Sequence, residues 1–451
     1  MFDLKLNFLK KTFKLAWPIS LQNILVTVLG MIDIIMVSHL GDSAVASVGI
    51  SNRITFVVLV ILIGVASGVS VLSAQYFGAA QVHKIKNAVV MAIIFSALFL
   101  LPVVTLNFFY AADLLQLASD NQALIDTGET YLWITFPSLF FLAVIFILEH
   151  ALRATGQVKL PMVFSTLAIG INVVLNYWLI NGGLGIDAMG VAGAAWATTI
   201  SRLFHLCMII YCLHKIKHPV FPTRNSFTEI RNKILWNKFI RLILPMMLSF
   251  GVWSLGTFVY QLIYGQIGTQ ELAVISMLTP IEGVLIGFFL GFSSACSILI
   301  GQNLGRSNFG EAWKISLVFS ICGPIVTFVL ALVLYLFEDV IFLSFQSMAA
   351  TTLELASEIF VLMIFGTCIK IYNMTISVGI LRAGGDNTFC LLIDFTGLWI
   401  VSLPLTFLAA FYFNLPLFWV VVTAYSEEVC KAILFTIRMR QKVWLKNLII
   451  D

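Results

Sequence analysis

The stretch WPISLQNILVTVLGMIDIIMVS, Trp17–Ser38, decides how the chain is read. As a helix it is long enough to cross a bilayer, which takes about 20 apolar residues. Pro18 stands near its start, where a missing N–H costs little. One carboxylate, Asp33, lies inside it. A charge at membrane depth costs at least about 2.5 kcal/mol, so such a residue faces protein or water and marks a functional site.

The stretch occurs twice. Pro18 is matched by Pro245, 227 positions on. Gly41, Ile54, Gly64, Ser67, Gln75 and Gly78 are matched by Gly268, Ile281, Gly291, Ser294, Gln302 and Gly305 at the same offset. A constant offset across two apolar segments and their loops is a duplicated unit, and parallel repeats are a common way to build transporters. The mate of Asp33 is Tyr260, so the acid has no counterpart.

Of the 451 residues, 60% are hydrophobic and 11% charged, with a mean hydropathy of +1.01. Soluble domains are about 25% charged. Apolar segments centred near residues 26, 62, 98, 140, 171, 200, 252, 288, 325, 368, 400 and 427 are each long enough to span. The predicted fold is an all-α polytopic membrane protein of twelve transmembrane helices. They form two six-helix lobes related by a parallel repeat, 1–212 and 239–451, joined by a basic linker, 213–238. Seven cysteines, an odd number without a CxxC, suggest neither a disulfide framework nor a zinc site.

Lys and Arg set the orientation. Lys10, Lys11 and Lys14 precede the first segment, the linker holds Lys215, Lys217, Arg224, Arg231, Lys233 and Lys238, and Arg438, Arg440, Lys442 and Lys446 follow the last. With twelve spans these fall on one side, which predicts cytoplasmic termini and linker. The opposite loops carry acids such as Asp113, Asp126, Asp187 and Glu271 and no Lys or Arg. The basic tail reads as membrane anchoring rather than a nucleic-acid patch.

Asp33 is read as a proton or cation site, because desolvation disfavours the charged form of a carboxylate and so lets it load a proton. Neutral oxygens for Na⁺ come from Asn172 and Asn176, spaced i, i+4 on one helix face, and from Thr198. In the second half Lys370 lies about 18 Å along the helix from Arg382, which is mid-membrane. A buried lysine needs an anion; Glu282 and Asp394 are the candidates. Lys431 is expected to pair with Glu428, Arg53 and Arg202 to snorkel, and Glu149 and His150 to be interfacial. No GxxxxGK[ST], HExxH or GxSxG occurs, which argues against a built-in ATPase and against an intramembrane zinc protease or esterase.

Several motifs together resemble one family. They are Pro18 with Asp33, QYFGAA (Gln75 to Ala80) with QNLGRS (Gln302 to Ser307), RATGQ (Arg153 to Gln157) with RAGGDN (Arg382 to Asn387), NVVLNYWL (Asn172 to Leu179) and GVAGAAWAT (Gly190 to Thr198). In order and in a twelve-span frame, they resemble the multidrug and toxic compound extrusion (MATE) transporters over essentially the whole chain. The resemblance implies a V of two lobes around a central cavity, and alternating access. It implies export of cationic or amphipathic drugs against H⁺ or Na⁺, with Asp33, Asn172 and Thr198 as the amino-lobe site. Asn176 stands where one branch has an aspartate. Trp253 and Ile371 align with the carboxyl-lobe acids of the sodium-coupled branch, which moves weight to Asp33. Gln22, Trp253 and Tyr260 are the candidates for the substrate cavity, where aromatic rings favour planar cations.

The function expected is thus a secondary antiporter, not an enzyme, in a bacterial inner membrane. It needs no cofactor beyond the coupling ion, H⁺ or Na⁺, and no metal other than Na⁺ at Asp33. Its partners are drug-like organic cations and lipid, with no nucleic acid, and it works as a monomer. The alternatives are a lipid-linked sugar flippase or a dedicated metabolite exporter of the same superfamily, and, from a different class, an intramembrane enzyme or a channel.

Overall fold

The computed structural model describes residues 2–116, 120–183, 185–223, 226, 229–230, 232–343 and 349–449. Arg224 and Arg231 of the linker lie outside them. Among the described residues eleven helices are long and apolar enough to cross a membrane. They are α1 (Lys10–Ser38), α2 (Asp42–Gly78), α3 (Val82–Gln116), α4 (Gln122–Ala154), α5 (Lys159–Asn181), α6 (Gly190–Lys215), α7 (Lys233–Ile267), α8 (Thr269–Gly305), α9 (Phe309–Leu336), α10 (Ala350–Gly384) and α11 (Asn387–Tyr412). The expected twelfth is broken at Tyr425 into α12 (Leu417–Ala424) and α13 (Ser426–Arg440). At 8 and 15 residues neither piece is long enough to span alone, and Glu427, Glu428 and Lys431 make α13 polar as well. The single β feature among the described residues is an isolated bridge, Gly183 to Ile186.

Helix ends follow local chemistry. Asn121 accepts from the N–H of Ala123 and Leu124 at 3.0 and 3.4 Å and so caps α4; Asn308 caps α9 through Glu311 N–H. Large apolar side chains such as Phe109, Leu336 and Ile400 are exposed. That surface suits lipid rather than water.

The chain divides into two compact units, Ile24–Met247 and Leu248–Asp451 together with Met1–Asn23. A cut at the linker would place two helix starts differently, and the packing explains why. In the first unit Ile243 and Met247 of α7 join Val65, Val69, Ile85, Val89 and Leu152 in one buried core. In the second, Ser20 Oγ of α1 donates to the Phe288 carbonyl at 2.5 Å, and Asn23 Nδ2 to that of Gly287 at 3.2 Å. The duplication organises both seams. A Cβ on Gly64 would lie 2.9 Å from the Met247 Cα, and one on its mate Gly291 would collide with Ser20. Ser20 and Met247 are themselves 227 positions apart. Both glycines are needed for close backbone approach.

α10 and α11 are not regular. α10 widens to a π-helix over Thr375–Leu381, and α11 over Thr396–Ser402 and Leu408–Tyr412. Such turns concentrate at functional sites, and here they flank the buried charges of the second half.

Candidate functional site

In the unit Ile24–Met247 the polar residues of α1, α5 and α6 form one chain. Asn176 Nδ2 donates to Asp33 Oδ1 at 2.6 Å and to Asn172 Oδ1 at 3.0 Å. Asn172 Nδ2 donates to Ser201 Oγ at 3.3 Å, and Ser201 Oγ to the Thr198 carbonyl at 2.9 Å. Two acceptors fix the Asn176 amide with its nitrogen toward Asp33. Asn176 is 1% exposed, yet its Oδ1 has no partner among the described residues. A buried oxygen without a donor costs about 1–3 kcal/mol. A donor or a cation arriving on the Oδ1 side would satisfy it.

Two groups missed from the sequence border this chain. The Tyr131 hydroxyl of α4 donates to Asn52 Oδ1 at 3.2 Å and also meets the Thr198 side chain. Arg202 of α6, expected to snorkel, turns inward: its guanidinium donates to Ser138 Oγ at 2.7 Å and acts electrostatically on Asp33. Glu149, expected at the interface, is buried, pairs with Arg153 at 3.3 Å and lies 3.4 Å from His205 Nε2.

The second unit gathers more charge than the sequence suggested. Lys370 pairs with Glu282 at 2.5 Å and sits over the Tyr425 ring at 4.7 Å. Asp394, the other candidate partner, belongs elsewhere: Arg382 reaches it at 3.0 Å, Ser249 donates to it, and Lys431 lies 3.6 Å away. Lys431 pairs with Glu427, not with Glu428 as expected. The i, i+4 partner faces the interior of the unit, whereas Glu428 accepts from Asn373 Nδ2 at 2.7 Å. The sequence marked Arg382 only as part of the RAGGDN motif and as a reference for membrane depth, and did not mark Ser249; each acquires its role here through Asp394 on a different helix.

The cavity candidates do not form a visible set. Gln22 is buried, Trp253 is 38% exposed, and Tyr260 is bound into the charge cluster through Ser402 and Glu427. An apolar groove of about 340 Å³ beside α7 and α11 is lined by Leu262, Gln266, Trp399 and Phe407 among others, with no charged residue. No group of three His, Cys, Asp or Glu that could hold a metal occurs among the described residues.

The Lys370–Glu282 side chains are 29% and 18% exposed. Lys370→Met is expected to lower the melting temperature of the detergent-purified protein, because it strands Glu282. Lys370→Met with Glu282→Gln should recover much of the loss, since removing both ions can be nearly neutral. If the double variant melts no higher than the single one, the lysine is not half of a structural pair.

Comparison with known proteins agrees with a transport role. A family model described as MatE matches residues 18–178 and 245–408, one match in each copy of the duplication. The chain is similar to "Probable multidrug resistance protein NorM" of Thermotoga maritima, 25% identical over 420 residues, covering 90% of this chain and 87% of the relative. It is also 27% identical over 290 residues to "FAD transporter" of Shewanella oneidensis, 63% of this chain and 64% of the relative. Among solved structures, that of a MATE in complex with MaL6 superposes with a TM-score of 0.87 at 20% identity, covering 96% of each chain.

Proposed function

The chain belongs to the MatE family, whose members are transporters rather than enzymes, and from that premise we propose that it exports cationic or amphipathic compounds in exchange for H⁺ or Na⁺ through Asp33. The observation that carries the coupling role is the hydrogen-bonded chain from Asp33 through Asn176 and Asn172 to Ser201 of α6, with the Asn176 Oδ1 next to Asp33 buried and lacking a donor among the described residues. A carboxylate there changes charge when a proton or Na⁺ arrives. Compound and cation then bias the same group, and the linkage between them is reciprocal. The alternating access that exchange requires follows if Asp33 loaded and Asp33 empty favour different conformations. Similarity to multidrug resistance proteins supports the substrate class.

The test is a drug-susceptibility panel in an exporter-deficient bacterium. Expression should raise resistance to ethidium and norfloxacin above that of the same host without the chain; unchanged susceptibility to both would count against a drug exporter. A second reading, a dedicated exporter of an anionic metabolite, draws on the FAD transporter relative and on the half-buried ammonium of Lys370. Flavin nucleotide accumulating in the medium without drug resistance would favour it over the first.

The charge asymmetry supports a cytoplasmic position for the termini and the linker. On a cysteine-less background, Asp120→Cys should label from outside with an impermeant maleimide and Lys215→Cys should not; the reverse pattern would overturn this orientation. Both positions are exposed.

A further inference from the structure

Asp33 has no acid at its repeat mate, but the mate is engaged. The Tyr260 hydroxyl on α7 donates to Ser402 Oγ of α11 at 2.6 Å and lies 3.3 Å from Glu427 Oε2 of α13. Ser402 passes its own proton on to the Ala424 carbonyl at 2.9 Å. In the first half the contact likewise runs from the first membrane helix to the fifth, Asp33 to Asn176. The second half therefore keeps a polar constellation on corresponding helices, with the carboxylate moved from the first helix of the half to the last.

Glu427 is buried, and its other oxygen pairs with Lys431. Lys431 is also 3.6 Å from Asp394, which already holds Arg382 and Ser249. One ammonium thus stands between two carboxylates. The remaining titratable groups around Glu427 are Glu428 on its own helix, Lys370 of α10 with its partner Glu282 of α8, Tyr264 of α7, and Tyr425 at the break before α13. One turn along α11 from Ser402, on the same face, the fully buried Thr406 hydroxyl has no partner among the described residues.

We propose that Glu427 is a second proton-exchanging carboxylate, serving the half of the chain that lacks a counterpart of Asp33. When a proton binds Glu427, Lys431 loses one anion but keeps Asp394, which it shares with Arg382, and the nearby Glu428 supplies the further negative charge that balances the cluster. When the proton leaves, the ammonium returns. The Arg438–Asp386 pair, at 2.6 Å, has no such second carboxylate beside it among the described contacts, and serves as the contrasting fixed pair. The π-turn that ends at Ser402 sets the hydroxyl toward Tyr260. This inference rests on the exporter reading only for its use in transport; the proton site itself is tested without transport.

The experiment is difference infrared spectroscopy of the whole protein in lipid vesicles, between acid and neutral pH, following the C=O band of protonated carboxyl groups. Wild type, Asp33→Asn, Glu427→Gln and the double variant are compared. Each single variant should lose one carboxyl's intensity, and the double variant both. Loss in Asp33→Asn with an unchanged band in Glu427→Gln overturns this proposal and leaves the Asp33 reading standing. Loss in Glu427→Gln alone does the opposite. Tyr260→Phe keeps the carboxylate and its lysine, and covers the case in which Glu427→Gln does not fold. It should shift the band without removing it, because one hydrogen bond to the carboxyl is gone; an unchanged spectrum overturns the proposal.

Discussion

Asp33→Asn is expected to insert and fold like the parent chain and to lose gradient-driven efflux, by at least about tenfold, or ~1.4 kcal/mol. The amide still accepts from Asn176 Nδ2, so the chain from α1 through α5 to α6 is kept. It cannot change charge, and coupling requires a group that does. Asp33→Glu should keep part of the activity with a displaced pH optimum, since the carboxylate survives at a different reach. Asn176→Asp brings a second carboxylate to hydrogen-bonding distance of the first. Two carboxylates that close cannot both stay ionised without cost, so the pH or Na⁺ dependence of efflux should change. The measurement is ethidium efflux from cells with matched protein levels. Full efflux by Asp33→Asn would move the coupling role to the second half.

The second large effect is on stability. Asp394→Asn should destabilise the protein by about 3–5 kcal/mol, the cost of breaking a buried pair. Its carboxylate is 12% exposed and its Arg382 partner 6%, both far drier than the Lys370–Glu282 pair. Arg382 also lies over the Phe250 ring at 4.9 Å, a contact that does not replace an anion. Fluorescence-detected size exclusion after heating should therefore show Asp394→Asn aggregating well below Lys370→Met. Equal melting of the two variants would mean that burial does not decide the cost here.

The fold was legible because its signals are local or periodic. Span length, hydropathy and the 227-residue offset all survive without knowledge of any tertiary contact. The same offset even paired Gly64 with Gly291, the two glycines at the helix seams. The break at Tyr425 was not legible, since α12 is strongly apolar and the run of charge after it resembles a loop only in part. Within the candidate site, the i, i+4 spacing of Asn172 and Asn176 put them on one face, and the structure joins them to Asp33 across 143 positions. Nothing in a sequence specifies which residue lies opposite across that separation. The same limit explains Lys431. Two acids, three and four residues before it, are equally reachable on a helix, and only the side that faces Asp394 and Tyr260 selects Glu427.

Purified protein in lipid vesicles, with a pH gradient or a Na⁺ gradient imposed separately, tests the central claim most directly. One of the two gradients should drive ethidium against its concentration in the wild type, and neither should do so in Asp33→Asn. Ethidium movement in the wild type that ignores both gradients, or gradient-driven movement that persists in Asp33→Asn, would contradict coupling through Asp33.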